Sequence, residues 1–116
     1  MMTSQFPDWV RQLPEADVSF PGASAWIVDP GAAQTVCWEF EEGGSVPAHA
    51  HAAQIGVVLD GAVHLTVDGE GRRFGPGEWF SIEAGQEHEA RVEPNTMVIE
   101  VYADPARHRV KGPIDR

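Results

Sequence analysis

Apolar and polar residues alternate with a period of two along several short segments of the chain. Such alternation is typical of strands that bury one face, because successive side chains of a strand point to opposite sides. In the first of these segments, Val36, Trp38 and Phe40 share one face. The pattern predicts four half-buried strands: Gln34–Glu41, Ala62–Val67, Glu87–Glu93 and Thr96–Tyr102.

Two further segments depart from this alternation. Gln54–Leu59 is apolar on both faces, which favours a strand buried on both sides. Phe6–Leu13 is compatible with one short helical turn that ends at Pro14. We expect its aromatic residues, Phe6 and Trp9, to pack on the sheets as a cover.

Turn-forming residues separate the predicted strands. They recur at intervals of mostly about 8–12 residues, which is typical of a sandwich or barrel of short strands. The pattern therefore predicts an all-β fold. The turn signals are Pro21-Gly22, Pro30-Gly31, Gly43-Gly44, Asp60-Gly61, Asp68-Gly69, Gly75-Pro76-Gly77, Gly85 and Pro94-Asn95.

The length and charge of the chain indicate how many domains it has and which partners are unsuitable. Its 116 residues predict a single domain, residues 1–116. Eighteen acidic residues against eight basic ones give a net charge of −10, which makes nucleic acid and anionic membrane surfaces poor partners. The chain has neither a signal-peptide pattern nor an apolar run of about 20 residues, so we expect a cytoplasmic protein.

Several residues are predicted to have structural roles only. Cys37 is the single cysteine, which excludes an internal disulfide, and it is expected to pack in the core. Glu39, Glu41 and Glu42 are interpreted as a solvated face. The basic tail that begins at Ala103 is expected to fray.

Three histidines carry the candidate chemistry. His49 and His51 lie two positions apart, so on a strand their rings would share one face. His88 lies on the apolar face of its predicted strand, where a polar ring needs a partner. Neutral imidazole is a common ligand of transition metals, so a metal would supply that partner. An exposed His-x-His pair without a metal is the alternative.

The residues around these histidines resemble the two motifs of the cupin family. Residues 43–61 contain glycine, five residues, His-x-His and a closing glycine, as in the first cupin motif. Residues 77–88 follow the spacing of the second motif. The chain is similar to small single-domain bacterial cupins of the RmlC-like superfamily, which implies a small cupin-type β-barrel, or jelly roll.

Two departures from the cupin pattern affect the chemistry and the turns. The usual glutamate of the first motif is Gln54, only two residues after His51, so the strand must bulge or turn for Gln54 to face the same site. The usual proline of the second motif is Glu83. The resemblance implies a metal site of His49, His51, His88 and Gln54. Three roles remain open for Gln54. It binds the metal directly, it hydrogen-bonds a bound water or substrate, or it is a buried amide whose partners are backbone groups.

The resemblance also implies a class of function. It predicts a divalent transition metal (Zn, Ni, Fe, Cu or Mn) and a metal-dependent enzyme of dioxygenase, isomerase or cyclase type that acts on a small organic molecule. The alternative is a cupin that binds or senses a small ligand without turnover. We expect a homodimer and a neutral or weakly acidic substrate.

The remaining candidate residues have less specific roles. Trp38 and Phe40 are predicted to line the substrate pocket, because small barrels can hold one ligand. His64 is expected to face solvent, and His108 lies in the basic tail without an assigned role. No catalytic residue is assigned, because no second carboxylate accompanies the motifs.

Overall fold

A computed structural model describes residues 5–6, 8–28 and 33–111. The turn predicted at Pro30-Gly31, the side chain of Trp9 and residues 112–116 of the tail lie outside that description. The described part contains one short helix and nine strands. These are α1 (Asp8–Arg11), β1 (Ala23–Val28), β2 (Gln34–Phe40), β3 (Gly44–His49), β4 (Gln54–Asp60), β5 (Val63–Val67), β6 (Glu70–Phe74), β7 (Trp79–Ile82), β8 (His88–Val92) and β9 (Thr96–Tyr102).

The strands form two antiparallel sheets. The five-stranded sheet has the order β1-β2-β9-β4-β7, and the four-stranded sheet has the order β3-β8-β5-β6. Val36 and Val98 from the first sheet and Leu65 and Val92 from the second are buried in one core cluster. The sheets therefore pack face to face as a jelly roll, which confirms the predicted all-β fold.

The turn between β4 and β5 shows why the glycine pattern matches this fold. Gly61 has a φ of 78°, and a side chain there would place its Cβ 2.2 Å from the Thr96 hydroxyl oxygen. That hydroxyl donates to the Glu93 carbonyl at 2.7 Å and accepts the Ala62 N–H at 3.1 Å. Only glycine can occupy a left-handed position this close to another strand.

The N-terminal segment covers part of the outer face of the five-stranded sheet. Phe6 and Val10 are buried there against Trp26, Cys37 and Met97. The rings of Phe6 and Trp26 meet edge to face at 6.4 Å. The expected cover is therefore present for Phe6, and Cys37 is a buried packing residue as predicted.

The interpretation of Glu39 as a solvated residue is wrong. The residue points to the outer face of β2, but the N-terminal segment lies over it and leaves it only 3% exposed. Its carboxylate accepts the Phe6 N–H at 3.0 Å and the Arg11 Nε–H at 3.3 Å. Glu39 therefore ties the N-terminal segment to the barrel.

The expectation that Gln54–Leu59 is buried on both faces is also wrong. Ile55 is 50% exposed and Leu59 is 43% exposed on the outer face of β4. The apolar cluster of the N-terminal segment includes residues of β1, β2 and β9 but none of β4. The described fold therefore leaves apolar side chains on the outer face of β4 exposed.

The tail packs on the barrel as far as residue 111. Gln34 donates to the carbonyls of Pro105 at 3.2 Å and His108 at 2.8 Å, and accepts the His108 N–H at 2.9 Å. Val110 forms a bridge with Ala16. The expected fraying is therefore wrong for residues 103–111, because one buried amide holds this segment by three hydrogen bonds.

The described helix is far too short to cross a membrane. It has four residues, whereas a membrane-spanning helix needs about 20. Within the described ranges, no helix is a candidate membrane span.

Candidate metal centre

Three histidines converge at one end of the barrel. His49 ends β3, His88 begins β8, and the two are paired in the register of the four-stranded sheet. His51 follows in the loop between β3 and β4. One ring nitrogen from each of the three lies within 4.8 Å of the others.

The route by which His49 and His51 come together differs from the expectation. The His-x-His spacing predicts one shared strand, but β3 ends at His49, after a register irregularity between Val46 and His49. The His51 carbonyl accepts the Gly85 N–H at 3.0 Å, which fixes the loop against the turn before β8. The loop, and not strand periodicity, therefore brings the His51 ring to within 5.0 Å of the His49 ring.

Each histidine ring has a backbone carbonyl as the partner of its Nδ1 atom. The contacts are His49 to Pro47 at 2.9 Å, His51 to Ala52 at 2.7 Å and His88 to Gln86 at 3.0 Å. A carbonyl only accepts, so each Nδ1 carries the proton and each Nε2 keeps its lone pair. Fixing the tautomer in this way is how proteins prepare metal-binding histidines.

The surroundings of the site keep its histidines neutral. Burial lowers the pKa of both His51 and His88, and the charges of Arg107 and His49 lower it further. Neutral imidazole, not imidazolium, is the metal ligand. Two nitrogens bound at about 2.1 Å and at a tetrahedral angle on one metal lie about 3.4 Å apart. The three nitrogens lie within 4.8 Å of one another, so a movement of under about 1 Å by each ring would gather them. These residues therefore fit a divalent transition metal.

Gln54 faces the same cavity as the histidines. It is the first residue of β4, so the loop that precedes the strand resets the alternation and no bulge is needed. The side chain is buried, and its Nε2 donates to the Glu100 carboxylate at 3.1 Å. This hydrogen bond uses the amide nitrogen, which leaves the Gln54 Oε1 atom as the one a cation could use.

A carboxylate and a phenol that the sequence analysis missed lie beside Gln54. Glu100 and Tyr102 line the cavity from β9, and the Tyr102 hydroxyl donates to the Glu100 carboxylate. Burial raises the pKa of Glu100 to about 6 and raises that of Tyr102 well above its ordinary value. The alternation of Thr96–Tyr102 put both on one face with Val98. The opposite face, with Met97, Ile99 and Val101, is wholly apolar, so the pattern gave no sign that Glu100 and Tyr102 point into the cavity.

The cavity is small and mostly aromatic. Its volume is about 80 Å³, and the chain places Trp38 and Phe40 in its wall. The two rings stack with centroids 5.1 Å apart, and Phe20 packs on Trp38 at 6.0 Å. Such a cavity suits a molecule of a few non-hydrogen atoms.

The other two histidines lie at different places. His64 is on the outer face of β5, where its Nε2 pairs with the Glu93 carboxylate at 2.6 Å. His108 belongs to the tail and lines the cavity, with its ring 5.3 Å from the Trp38 ring. Nothing in the local sequence indicated this position, because it depends on the docking of the tail to Gln34.

Solved structures of other proteins share this fold. KdgF from Halomonas sp. has 33% sequence identity and a TM-score of 0.71, with 84% of this chain and 90% of that chain covered. An RmlC-like cupin from Shewanella frigidimarina has 24% identity and a TM-score of 0.73, with 92% and 96% covered. Oxalate decarboxylase from Bacillus subtilis, described with Mn(II) centres, has 16% identity and a TM-score of 0.68, with 84% and 29% covered.

The family assignment follows from sequence as well as structure. No curated protein sequence matches the chain. The sequence profile of the cupin domain, Cupin_2, matches residues 36–102, which run from β2 to the end of β9. That range contains the three histidines, Gln54, Glu100 and Tyr102. The chain therefore belongs to the Cupin_2 family of cupin domains.

Proposed function

We propose that this protein is a metal-dependent enzyme that moves protons on a small organic molecule, as isomerases and cyclases do. The observation that carries the proposal is the convergence of His49, His51 and His88 with every Nδ1 held by a carbonyl. Those three residues would hold a divalent metal through Nε2, and Gln54 would complete the set through Oε1. The bound metal supplies Lewis-acid polarisation of a substrate oxygen.

The chain's own residues supply the proton chemistry. The Glu100 carboxylate accepts the Tyr102 hydroxyl and the Gln54 amide, so its position in the cavity is fixed from two sides. From there Glu100 would take a proton from the substrate and return it at another atom. The Tyr102 hydroxyl would hold the carboxylate in place and share its charge.

This pair is why proton transfer is preferred over dioxygenation among the three reaction types that the resemblance implies. An isomerase or cyclase needs a group that accepts and returns a proton, and Glu100 is a carboxylate in the same cavity as the histidines. The aromatic walls restrict water, which strengthens such transfers by lowering the local dielectric.

Proton exchange tests the proposal without knowledge of the natural substrate. The zinc- or nickel-loaded protein is incubated in D₂O with dihydroxyacetone and pyruvate, and exchange of the carbon-bound protons is followed by NMR. We expect exchange above the buffer rate, and a loss of about 10²- to 10⁴-fold in Glu100→Gln. Glu89→Gln, a change at an exposed position of β8, is the matched control.

Two outcomes would count against the proposal. Exchange at the buffer rate with both probes, in protein shown to hold metal, would favour a cupin that binds its ligand without turnover. Exchange at the wild-type rate in Glu100→Gln would show that Glu100 is not the proton acceptor.

A further inference from the structure

Unpaired buried nitrogens gather in one part of the cavity. Across the described ranges, four buried side-chain nitrogen or oxygen atoms lack a hydrogen-bond partner. Three of them, Trp38 Nε1, Arg107 Nε and His108 Nε2, belong to residues that line the cavity. A buried polar group without a partner costs about 1–3 kcal/mol, so such groups are rare and call for an explanation.

These three residues lie next to one another. The His108 ring meets the Trp38 ring edge-on at 5.3 Å and the Tyr102 ring at 5.2 Å. The Arg107 guanidinium lies 5.8 Å from the centre of the Tyr102 ring. Tyr102 also contacts the His51 ring, with the ring centres 5.9 Å apart, so these residues lie beside the three histidines.

The chemistry of the three nitrogens indicates what they would bind. The Trp38 indole and the Arg107 guanidinium can only donate hydrogen bonds, and Arg107 is always charged. Arg107 forms no salt bridge with any described residue. The Trp38 N–H and the charge of Arg107 both lower the pKa of Glu100, so both lie near that carboxylate. Its oxygens already accept Tyr102 and Gln54, and Trp38 Nε1 is not aligned with them for a hydrogen bond.

We propose that Trp38, Arg107 and His108 form a subsite that binds the carboxylate of a small organic acid. The inference rests on the proposed function for the reaction, but the subsite itself needs no metal. An acid bound here would have its remaining atoms near Glu100 and the histidine cluster, which both contact Tyr102. The substrate is then a small carboxylic acid, which is an anion at neutral pH, and not the neutral or weakly acidic molecule expected from the sequence.

The placement of the subsite explains why an acidic protein could bind an anion. The acidic side chains lie largely on the surface, where solvent and salt screen them. Arg107 lines the cavity, where a charge-assisted hydrogen bond to a carboxylate is shorter and stronger than a neutral one. Arg107 therefore offsets, at the point of binding, both the long-range repulsion and the charge of the nearby Glu100 carboxylate.

A comparison of lactate with lactamide tests the subsite. The two probes have nearly the same shape, but only lactate carries a charge. Binding to metal-stripped, full-length protein is measured by NMR titration. We expect lactate to bind more tightly than lactamide. Arg107→Gln should weaken the affinity for lactate by at least about tenfold and leave the affinity for lactamide unchanged.

Two further variants distinguish loss of the subsite from a change in overall charge or in folding. Arg109→Gln, two residues along the same segment and 86% exposed at its side chain, is the matched control and should bind lactate as the wild type does. Trp38→Phe keeps the aromatic ring but removes the N–H, and should weaken lactate several-fold. Amide spectra of each variant verify that the fold is retained.

The outcomes distinguish the subsite from the proposed function. Equal binding of lactate and lactamide, or an Arg107→Gln variant with wild-type affinity, would overturn the subsite. Lactate binding that requires metal and His88, but not Arg107, would overturn it while leaving the metal-dependent function intact. Lactate binding that depends on Arg107 in a protein that takes up no metal would support the subsite and contradict the function.

Discussion

At the scale of single residues, the site depends on which atom of each side chain already has a hydrogen-bond partner. The carbonyl at each Nδ1 leaves Nε2 as the nitrogen with a free lone pair, and the Gln54 nitrogen donates to Glu100. The sequence identified His49, His51 and His88 because their motif has a fixed spacing. It could not identify Arg107 and His108, whose positions depend on contacts with residues about 70 positions away.

The buried carboxylate of Glu39 gives a test at this scale. Glu39→Ala removes the acceptor of the Phe6 N–H and the partner of Arg11. We expect a loss of about 1–3 kcal/mol in the free energy of unfolding, measured by urea denaturation, because a buried N–H is left unpaired. Glu89→Ala, at an exposed position, should change it by under about 0.5 kcal/mol. Equal losses in the free energy of unfolding for the two variants would contradict a stabilising role of the buried Glu39 carboxylate.

At the scale of elements, strand alternation predicted the segments but not always the face that is buried. It was sufficient for β8, where His88 and Val92 are buried as predicted. It failed for β4, because the N-terminal cover includes no residue of that strand. It could not predict the docking of residues 103–111, since this segment has no periodic pattern. It is held by the Gln34 side chain and by backbone contacts with residues distant in sequence, such as the bridge between Val110 and Ala16.

The docking of that segment can be tested through Gln34. Gln34→Ala removes three hydrogen bonds to residues 105–108, so the segment should open more often. We expect trypsin to cleave after Arg107 and Arg109 about tenfold faster or more, because proteolysis follows the population of the open form. The control is Gln86→Ala, whose side chain bonds only to exposed groups of Asp68 and Glu83. Identical cleavage rates in the two variants would contradict the role assigned to Gln34.

At the scale of the whole molecule, two sheets enclose a small cavity lined by two chemically different groups of side chains. One group has three imidazoles that can share a cation, and the other has donors that can bind an anion. Glu100 and Tyr102 line the same cavity beside both groups. The cupin motifs predicted the first group, and only the folded chain shows the second.

Metal binding tests the central claim most directly. Purified protein is stripped with chelator, titrated with zinc or nickel, and assayed for bound metal and for thermal stability. We expect about one equivalent per chain and a stabilisation of about 2.7 kcal/mol at a metal concentration 100 times the Kd. His88→Ala should lose both effects, and His64→Ala, changed on the outer face, should keep them. Less than about a tenth of an equivalent, with no stabilisation by either metal, would contradict the account.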